Sequence, residues 1–372
     1  MKYSKRAGNR RRRALALDEN GQLVSKPKNK MKKPAIVVLA IIAGIMVLIL
    51  AAVLLIFSYI WKINYDQGKY ETVATIPAET EQQTGPDSDQ AAIDALEEQM
   101  RAQSEVLTDD AVTNILLIGV DARTKGERCR SDSMILVSIN EDTRKIVMTS
   151  LLRDSYVTIP GVGHDRLNAA HAYGGPDLLM RTIEYNFGIG VDRYVSVDFS
   201  SFVDVVDAAG GLELTISEEE REVANRYIYE INRIRGVDRN SNLITSSGYQ
   251  HVNGTQALGY ARIRYVGNGD FQRTDRQREV LDELFNKMKK LNILELNDLL
   301  NVMLPNLTTN LTQGQLFSLV LGMPTYRYYK VDSYHVPFDG AYSNMTIRGM
   351  AVLGLDFDQC IAEMKRRIYN IE

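Results

Sequence analysis

One stretch of this sequence limits its architecture more than any other: residues 35–60 are uncharged and almost entirely apolar. As a helix rising about 1.5 Å per residue, the stretch would extend about 39 Å, more than a hydrocarbon core of roughly 30 Å. We therefore predict one transmembrane helix. A cleaved signal peptide is the alternative, but its apolar core would run about 7–15 residues and end at small residues. This run ends beside Tyr59 and Trp61, which suit a membrane interface, so the sequence favours an uncleaved signal anchor.

The segment before the apolar stretch is strongly basic. Residues 1–34 contain twelve Lys and Arg and two acidic residues, although the formal net charge of the whole chain is −3. Because Lys and Arg beside a span stay in the cytoplasm, we expect a cytoplasmic tail and a large region on the extracellular face. The four consecutive arginines at residues 10–13 could instead form a nucleic-acid-binding arm. The orientation signal accounts for them without a second function, so we expect no nucleic-acid partner.

Two cysteines, Cys129 and Cys360, are the complete set in the chain. Outside the cytoplasm they could form a disulfide if their Cα atoms come within about 7 Å, and the sequence leaves that pairing open.

An acidic segment follows the predicted span. Residues 61–112 contain three basic and twelve acidic residues together with Pro77, Gly85 and Pro86. We predict a solvated extracellular linker that holds the next domain off the bilayer, with a short helix over residues 91–103. The predicted organisation is therefore a tail over 1–34, a span over 35–60, this linker, a main domain over 113–290 and a C-terminal extension over 291–372 packed on that domain.

The main domain alternates strand-like and helix-like segments. Short apolar, β-branched runs at 114–121, 133–140, 145–160 and 194–199 predict strands. Pro176 is suited to the first turn of a helix reaching residue 187, and Ser217 with Glu220 matches a capping box before a helix ending near residue 235. A further amphipathic helix is predicted over 270–291. This alternation predicts the α/β class, as a layered α/β/α domain with a central mixed sheet.

Two aspartates stand at the ends of the first two predicted strands. Asp121 closes one strand and Asp132 opens the next, so both can meet at one sheet edge. Such a pair can hold Mg²⁺, which takes one or two protein carboxylates and completes its shell with water and substrate phosphate. The alternative is an ordinary loop carboxylate beside a strand-initiating turn.

Arginines accompany these aspartates in an unusual pattern. Arg130 lies two residues before Asp132, Arg262 and Arg264 repeat that spacing, and Arg153 ends an apolar run. In an extended chain such pairs share a face, where like charges repel unless an anion or a carboxylate intervenes. Additional polar residues open a predicted helix: Asp270, Arg273, Arg276 and Gln277.

Each arginine alone could be a surface ion pair worth under about 1 kcal/mol. Helix N-termini and forked guanidiniums both suit phosphate oxygens, however, and the collective pattern predicts a diphosphate site with a bound divalent cation. The four histidines form no HExxH pair, and neither a nucleophile elbow nor a GxxxxGK[ST] loop occurs, so a nucleophilic or ATP-driven enzyme is not indicated.

The motifs over residues 114–281 resemble those of the LytR-CpsA-Psr family of membrane-anchored bacterial cell-envelope enzymes. The resemblance rests on six ordered motifs: Leu117-Ile-Gly-Val-Asp121 with Arg130-Ser-Asp132, Ser150-Leu-Leu-Arg-Asp154, Arg166-Leu-Asn168, Val206-Asp207-x-x-Gly210-Gly211, Asn253-Gly-Thr-Gln-Ala-Leu-Gly-Tyr-Ala-Arg262-Ile-Arg264 and Asp270-x-x-Arg273-x-x-Arg276-Gln277-Arg278. Residues 290–372 match less well.

The resemblance implies a phosphotransferase of cell-wall biogenesis. Its members move an anionic glycopolymer, such as teichoic acid or capsule, from an undecaprenyl diphosphate carrier to a peptidoglycan hydroxyl, with Mg²⁺ or Mn²⁺. It implies metal ligands at Asp121 and Asp132, and catalytic roles for these two with Arg153 and Asp270. The implied pyrophosphate-binding residues are Arg130, Arg153, Arg262, Arg264, Arg273 and Gln277.

Two other functions remain alternatives. The same site could bind a polyprenyl diphosphate without turnover, as a sensor or scaffold. A transcriptional attenuator would need a cytoplasmic DNA-binding domain, and a tail of 34 residues without a helix-turn-helix pattern does not supply one.

Overall fold

A seven-stranded mixed sheet organises the chain. The computed structural model describes residues 54, 57–66, 87–100, 105–121, 129–267, 269–288 and 290–371. The strands of the sheet are β1 (Asn64–Tyr65), β2 (Val112–Val120), β3 (Ser131–Asn140), β4 (Lys145–Leu151), β7 (Arg193–Asp198), β10 (Thr308–Thr309) and β11 (Lys330–Val336). Their order is β1-β10-β7-β2-β3-β4-β11. Strands β2, β3 and β4 are antiparallel neighbours, whereas β7 and β11 run parallel to β2 and β4.

Three two-stranded hairpins lie beside this sheet. They are β5 (Tyr156–Ile159) with β6 (Gly163–Arg166), β8 (Leu212–Ile216) with β9 (Gly248–Val252), and β12 (Tyr342–Ile347) with β13 (Met350–Leu355). The described helices are α1 (Gln90–Gln99), α2 (Ala169–Phe187), α3 (Phe199–Ala208), α4 (Glu218–Ile234), α5 (Gly254–Ala261), α6 (Gly269–Met288), α7 (Ile293–Asn306), α8 (Gln313–Tyr326) and α9 (Phe357–Tyr369).

The two faces of the central sheet are packed differently. Leu116, Ile118 and Val120 alternate along β2 and belong to the main core, which also contains side chains of α1, α2 and α9. A second core joins helices α3 to α7 with the β8–β9 hairpin. Leu117 and Val137, on the other face of β2 and β3, are only half-buried and belong to none of the three described core clusters.

The predicted strands and helices of the main domain are confirmed with shifted ends, except that the predicted strand run over 145–160 is divided between β4 of the central sheet and β5 of a hairpin. Ser217 and Glu220 form both hydrogen bonds of the predicted capping box at the start of α4. Helix α2 begins earlier than expected, but it is interrupted at Gly174 and Gly175, where Gly175 has a φ of 66°. Pro176 therefore opens the second half of this helix. Proline suits this position because its ring fixes φ, and the N–H that it lacks would have no partner in the first turn of a helix.

The C-terminal region is part of the sheet and of the core. Strand β11 pairs with β4 along seven residues, and Phe357, Cys360 and Met364 of α9 are fully buried in the main core. The region that we expected to be an extension therefore supplies one edge of the central sheet.

The acidic linker differs from our expectation at both of its described ends. Strand β1 pairs in parallel with β10, and the backbone N–H of Asp66 donates to Thr309 O at 2.8 Å. Helix α1 places Ile93 and Leu96 in the main core. The burial of these apolar side chains therefore attaches this part of the acidic segment to the domain, although we expected the segment to be solvated. Residues 67–86 and 101–104 of the expected spacer lie outside the described residues.

The predicted tail over residues 1–34 lies outside the described residues, as does most of the predicted span over 35–60. None of the helices that the structure describes combines the length and the apolarity required for crossing a membrane. Cys129 is half-buried, Cys360 is buried, and the two form no disulfide with each other.

Candidate active site

The two predicted metal-binding aspartates come to the same end of the central sheet. Asp121 directly follows β2, and Asp132 lies in the paired strand β3. Gly119 pairs with Ser133 whereas Val120 pairs with Ser131, so Asp132 is the extra residue of a β-bulge. A bulge redirects a side chain out of the regular alternation. The i, i+2 relation that we expected between residues 130 and 132 is therefore altered locally.

Three arginines converge on one carboxylate beside these aspartates. Oδ1 of Asp270, in the first turn of α6, lies 2.9 Å from Nη2 of Arg273, 3.5 Å from Nε of Arg264 and 3.7 Å from Nε of Arg153. These arginines come from α6, from the loop after α5 and from the segment after β4. Like charges so close to one another are stable here because Asp270 neutralises part of their repulsion.

Arg153 links this group to the sheet edge. Its Nη1 donates to Oδ1 of Asp132 at 3.1 Å, and its Nε lies 3.5 Å from Asp154. The residue is only 6% exposed. Asp154 also pairs with Arg166 at 3.6 Å. Burial raises the pKa of Asp154, an effect that Arg153 opposes and Asp270 reinforces.

Arg262 forms a second group beside the first. Its Nη2 lies 3.5 Å from Asp121 and 3.7 Å from Glu230 of α4. The guanidinium also stands over the rings of Phe199, at 4.8 Å, and Tyr227, at 5.3 Å. Cation–π contacts of this kind fix the plane of an arginine.

Close packing brings Arg262 and Arg264 into place. A Cβ atom at Gly254, the first residue of α5, would lie 2.2 Å from the carbonyl oxygen of Val203, so only glycine lets α5 approach α3 this closely. Arg276 then fastens the loop that carries Arg264, because it donates to the carbonyl oxygens of Ile263 and Val266 at 3.3 Å.

Arg276 also pairs with Glu220 at 2.9 Å and is 3% exposed. Its i, i+3 spacing from Arg273 predicted a position beside the phosphate ligands. Instead it joins α4 to α6 and holds the loop that carries Arg264.

Two buried guanidinium donors of the site lack an acceptor among the residues that the structure describes. Nη1 of Arg262 and Nε of Arg273 are buried without a hydrogen-bond partner among the described residues. Burial lowers the pKa of Arg273, with Asp270 acting in the opposite direction and Arg153 reinforcing the shift. A buried, charged N–H without an acceptor is costly, so an anion that accepts from these atoms would stabilise the arrangement.

The remaining two predicted phosphate ligands are close in sequence to members of this group, Arg130 to Asp132 and Gln277 to Arg273. Arg130 precedes β3, and its positive charge acts on Tyr173 of α2. Gln277 is one turn beyond Arg273 on α6 and is half-buried.

The donor set suits a hard cation that keeps much of its own hydration shell. Asp121 and Asp132 offer two carboxylates, with side chains 35% and 26% exposed. Within the described residues, no group of three or more His, Cys, Asp or Glu could hold a metal ion. Mg²⁺ commonly uses one or two carboxylates and takes its other ligands from water and phosphate, so this pair fits it.

Sequence reasoning missed three acidic or basic partners of the site. Asp154 and Arg166 belong to two of the six sequence motifs, but the motifs did not indicate that these residues contact the site. Glu230 lies in the middle of an amphipathic helix and carried no local signal. Neither of the two described cavities, of about 680 and 370 Å³, is lined by the arginines that surround Asp270.

Comparisons with known proteins identify the family of this chain. The sequence model of the LytR_cpsA_psr family matches residues 74–366. The polyisoprenyl-teichoic acid–peptidoglycan teichoic acid transferase TagT of Bacillus subtilis (strain 168) is 35% identical over 204 residues, which is 54% of this chain and 60% of that protein. The chain thus spans about 60% of the length of this curated relative.

Solved structures extend the similarity to the fold. A structure described as TagT bound to LI-WTA is 28% identical, covers 73% of this chain and 96% of its own, and superposes with a TM-score of 0.57. A structure of the LytR-CPS2A-psr family protein YwtF (TagT) with bound octaprenyl pyrophosphate lipid is 26% identical, covers 73% and 95% of the two chains, and has a TM-score of 0.53.

Proposed function

We propose, because the chain belongs to the LytR-CpsA-Psr family, that it is a glycopolymer phosphotransferase of cell-wall assembly. It moves an anionic glycopolymer from an undecaprenyl diphosphate carrier to a hydroxyl of peptidoglycan and forms a phosphodiester. The names of its relatives support the substrate class, since one is a teichoic acid transferase and another is solved with a polyprenyl pyrophosphate lipid.

One observation carries the proposal: Arg153, Arg264 and Arg273 meet around Asp270 at the sheet end that also holds Asp121 and Asp132. Each strand or loop alone has an ordinary explanation. Together they form a dense group of cationic donors in which Nε of Arg273 and, beside it, Nη1 of Arg262 are buried without an acceptor among the described residues, and a diphosphate has oxygen atoms that can accept from them.

In the proposed reaction, the acceptor hydroxyl attacks the phosphorus atom that carries the sugar. A new P–O bond forms to the acceptor, the bond from that phosphorus to the bridging oxygen breaks, and undecaprenyl phosphate leaves with the electron pair. The hydroxyl proton is released to a base or to solvent. The arginines stabilise the negative charge that builds on the diphosphate, and they need no reorganisation because Asp270 already positions them.

Asp270 therefore acts as a positioning residue. Its Oδ1 is held by three guanidiniums, which leaves it poorly placed to take a proton from the acceptor. Asp121 and Asp132 are the more exposed carboxylates and would hold Mg²⁺ or Mn²⁺, which when bound supplies Lewis-acid stabilisation of the diphosphate oxygens.

The prenyl chain requires an apolar surface near the diphosphate. The second face of the central sheet offers one, since Leu117, Val137, Val195 and Val197 are half-buried and belong to no described core cluster. Leu117 pairs with Val195, and Gly119 with Val197, so these side chains form neighbouring rows that run toward Asp121.

The location that we propose follows from the sequence. Residues 35–60 form a single span, residues 1–34 stay in the cytoplasm, and the domain works on the extracellular face, where no ATP is expected and the diphosphate provides the driving force. Protease protection of a C-terminal tag on intact and permeabilised cells tests this topology; a tag protected on intact cells contradicts it.

The reaction can be tested with the full-length protein in detergent, an undecaprenyl diphosphate-linked glycopolymer, peptidoglycan and Mg²⁺. We expect release of undecaprenyl phosphate together with attachment of polymer to the wall. The matched variant is Asp132→Asn, which keeps the shape of a partly exposed side chain but removes one carboxylate of the proposed metal pair. Its transfer should require more Mg²⁺ than that of the wild-type protein. Retention of the lipid without release of prenyl phosphate, by the wild-type protein, would favour the sensor or scaffold function instead.

A further inference from the structure

An apolar surface is present on the C-terminal region, away from the arginines. Helix α8 and its flanks, residues 311–326, contain no charged residue. None of the α8 side chains that the structure describes is fully buried, and Leu321 is 59% exposed. A helix that is apolar all round is normally enclosed by protein or by lipid, so this helix lacks part of its cover.

The segment that enters the domain at residues 57–62 packs beside this helix. The rings of Phe57 and Phe317 stack with centroids 6.1 Å apart. The Tyr59 hydroxyl donates to Oδ1 of Asn297, and Nζ of Lys62 donates to Oδ1 of Asn301, both on α7. The segment therefore contacts both α7 and α8.

Helical spacing places the exposed leucines on the same side as this segment. Phe317 and Leu321 are four residues apart and share a face of α8. Leu294, which is 72% exposed, is three residues before Asn297 and shares its face of α7. Trp61, 76% exposed, belongs to the segment that lies against both helices. We call Phe57, Trp61, Leu294, Phe317 and Leu321 the α7–α8 face.

Aromatic and basic residues of this face and of the chain beside it have the character of a membrane interface. Trp and Tyr are favoured at the level of lipid head groups, and here Trp61 and Tyr328 are 76% and 74% exposed. Each stands beside a basic residue, Lys62 and Arg327, whose charge suits anionic lipids. Of the two acidic residues of α7, Glu295 is engaged in the capping box with Asn292, and the exposed Asp298 accepts a hydrogen bond from Nδ2 of Asn297 at 3.0 Å.

We propose that the α7–α8 face lies on the outer surface of the lipid bilayer, with Leu294 and Leu321 at the boundary between head groups and acyl chains. Amphipathic and apolar helices bind in this way by burying apolar side chains about 5–10 Å deep. The occupant is lipid rather than protein because the uncharged run of residues 35–60 ends within this face. The inference rests on the proposed membrane location.

Because Trp61 is the single tryptophan of the chain, Trp61→Phe gives a background without tryptophan fluorescence. In a Trp61→Phe background, Leu321→Trp places the reporter on α8, and Tyr249→Trp, at a 75% exposed position of β9, is the matched control. Both full-length variants are reconstituted into vesicles of phosphatidylcholine and phosphatidylglycerol, with and without lipids brominated on the acyl chains near the head group.

We expect brominated lipid to reduce the fluorescence of Leu321→Trp to about half and aqueous iodide to leave it nearly unchanged, with the reverse for Tyr249→Trp. Quenching of Leu321→Trp by iodide overturns the proposal. Insensitivity to both quenchers also overturns it, since protein would then cover the face. Alkaline extraction tests the span separately: release of the wild-type protein contradicts the span, whereas retention with Leu321→Trp unquenched by lipid contradicts only the α7–α8 face.

Discussion

Two arginines one turn apart on α6, Arg273 and Arg276, are both buried, at 4% and 3% exposure, and yet have opposite surroundings. Arg276 donates to Glu220 and to two backbone carbonyl oxygens. Arg273 shares Asp270 with two other arginines, and its Nε has no acceptor among the described residues. The two positions are almost equally buried and lie on the same helix, and they differ in whether their N–H donors have acceptors. Arg276, whose guanidinium nitrogens have acceptors, supports the fold, whereas Arg273 has a donor available for a ligand.

The largest effect on activity is expected at the unsatisfied arginine. Arg273→Lys keeps the charge but removes the forked donors, so we expect glycopolymer transfer to fall by about 10²–10³-fold, roughly 3–4 kcal/mol in the transition state. The melting temperature should change by only a few degrees, because the lysine can still pair with Asp270. Transfer by the purified variant at the wild-type rate would contradict the phosphate-binding role.

The satisfied arginine should respond in stability. Arg276→Ala leaves the half-buried Glu220 without its partner and frees the loop at Ile263, so we expect a loss of about 3–5 kcal/mol in the free energy of unfolding. Urea denaturation of the purified protein measures this loss.

A double variant serves as its control. Arg276→Ala combined with Glu220→Ala should lose less than the sum of the two single changes, because the uncompensated carboxylate is gone. Strict additivity would show that the pair contributes no coupling and would weaken the contrast with Arg273.

A smaller effect is expected at the sheet edge. Asp132→Asn removes one of two carboxylates, so the Mg²⁺ concentration for half-maximal transfer should rise about tenfold or more. EDTA should stop transfer by the wild-type protein, and added Mg²⁺ should restore it. Transfer that continues at full rate in EDTA would refute the proposed metal requirement while leaving the arginine group untested by this experiment.

The smallest effect concerns His171, which is buried and, like Arg276, has a backbone carbonyl oxygen as a hydrogen-bond partner. Its Nδ1 is 2.7 Å from the carbonyl oxygen of Cys129, and burial lowers its pKa. The unfolded chain then binds more protons than the folded one below pH about 6.5, so stability is complete above that pH and falls as the pH drops toward the folded pKa.

The slope should approach about 1.4 kcal/mol per pH unit. His171→Asn, which can keep a donor near the Nδ1 position, should remove this part of the pH dependence in thermal unfolding between neutral and mildly acidic pH. An unchanged pH profile would show that other groups cause it.

Much of the fold followed from local patterns. Strands β2, β3 and β7 were visible as β-branched runs, and the capping box of Ser217 and Glu220 was visible from two residue types at a fixed spacing. Strands β1 and β10 have two residues each and show no periodicity, so only tertiary pairing defines them. The integration of β11 was hidden for the same reason, because its partner β4 lies far away in the sequence.

The candidate site was predictable in its members more than in its arrangement. Asp121, Asp132, Arg153 and Arg273 were expected near one another from strand ends and helix starts. The bulge that redirects Asp132 depends on the register of β2 against β3, which no single strand encodes. The difference between Arg273 and Arg276 depends on which carbonyl oxygens fold back toward α6, and this too is a tertiary property.

The short strand β1 has a mechanical consequence. Hydrogen bonds from Asn64 N to Leu307 O and from Asp66 N to Thr309 O fix the point where the chain enters the domain. Substitutions that break this pairing would release the entry point from the sheet. Insertions within residues 67–86, which come later in the chain, would leave the entry point in place.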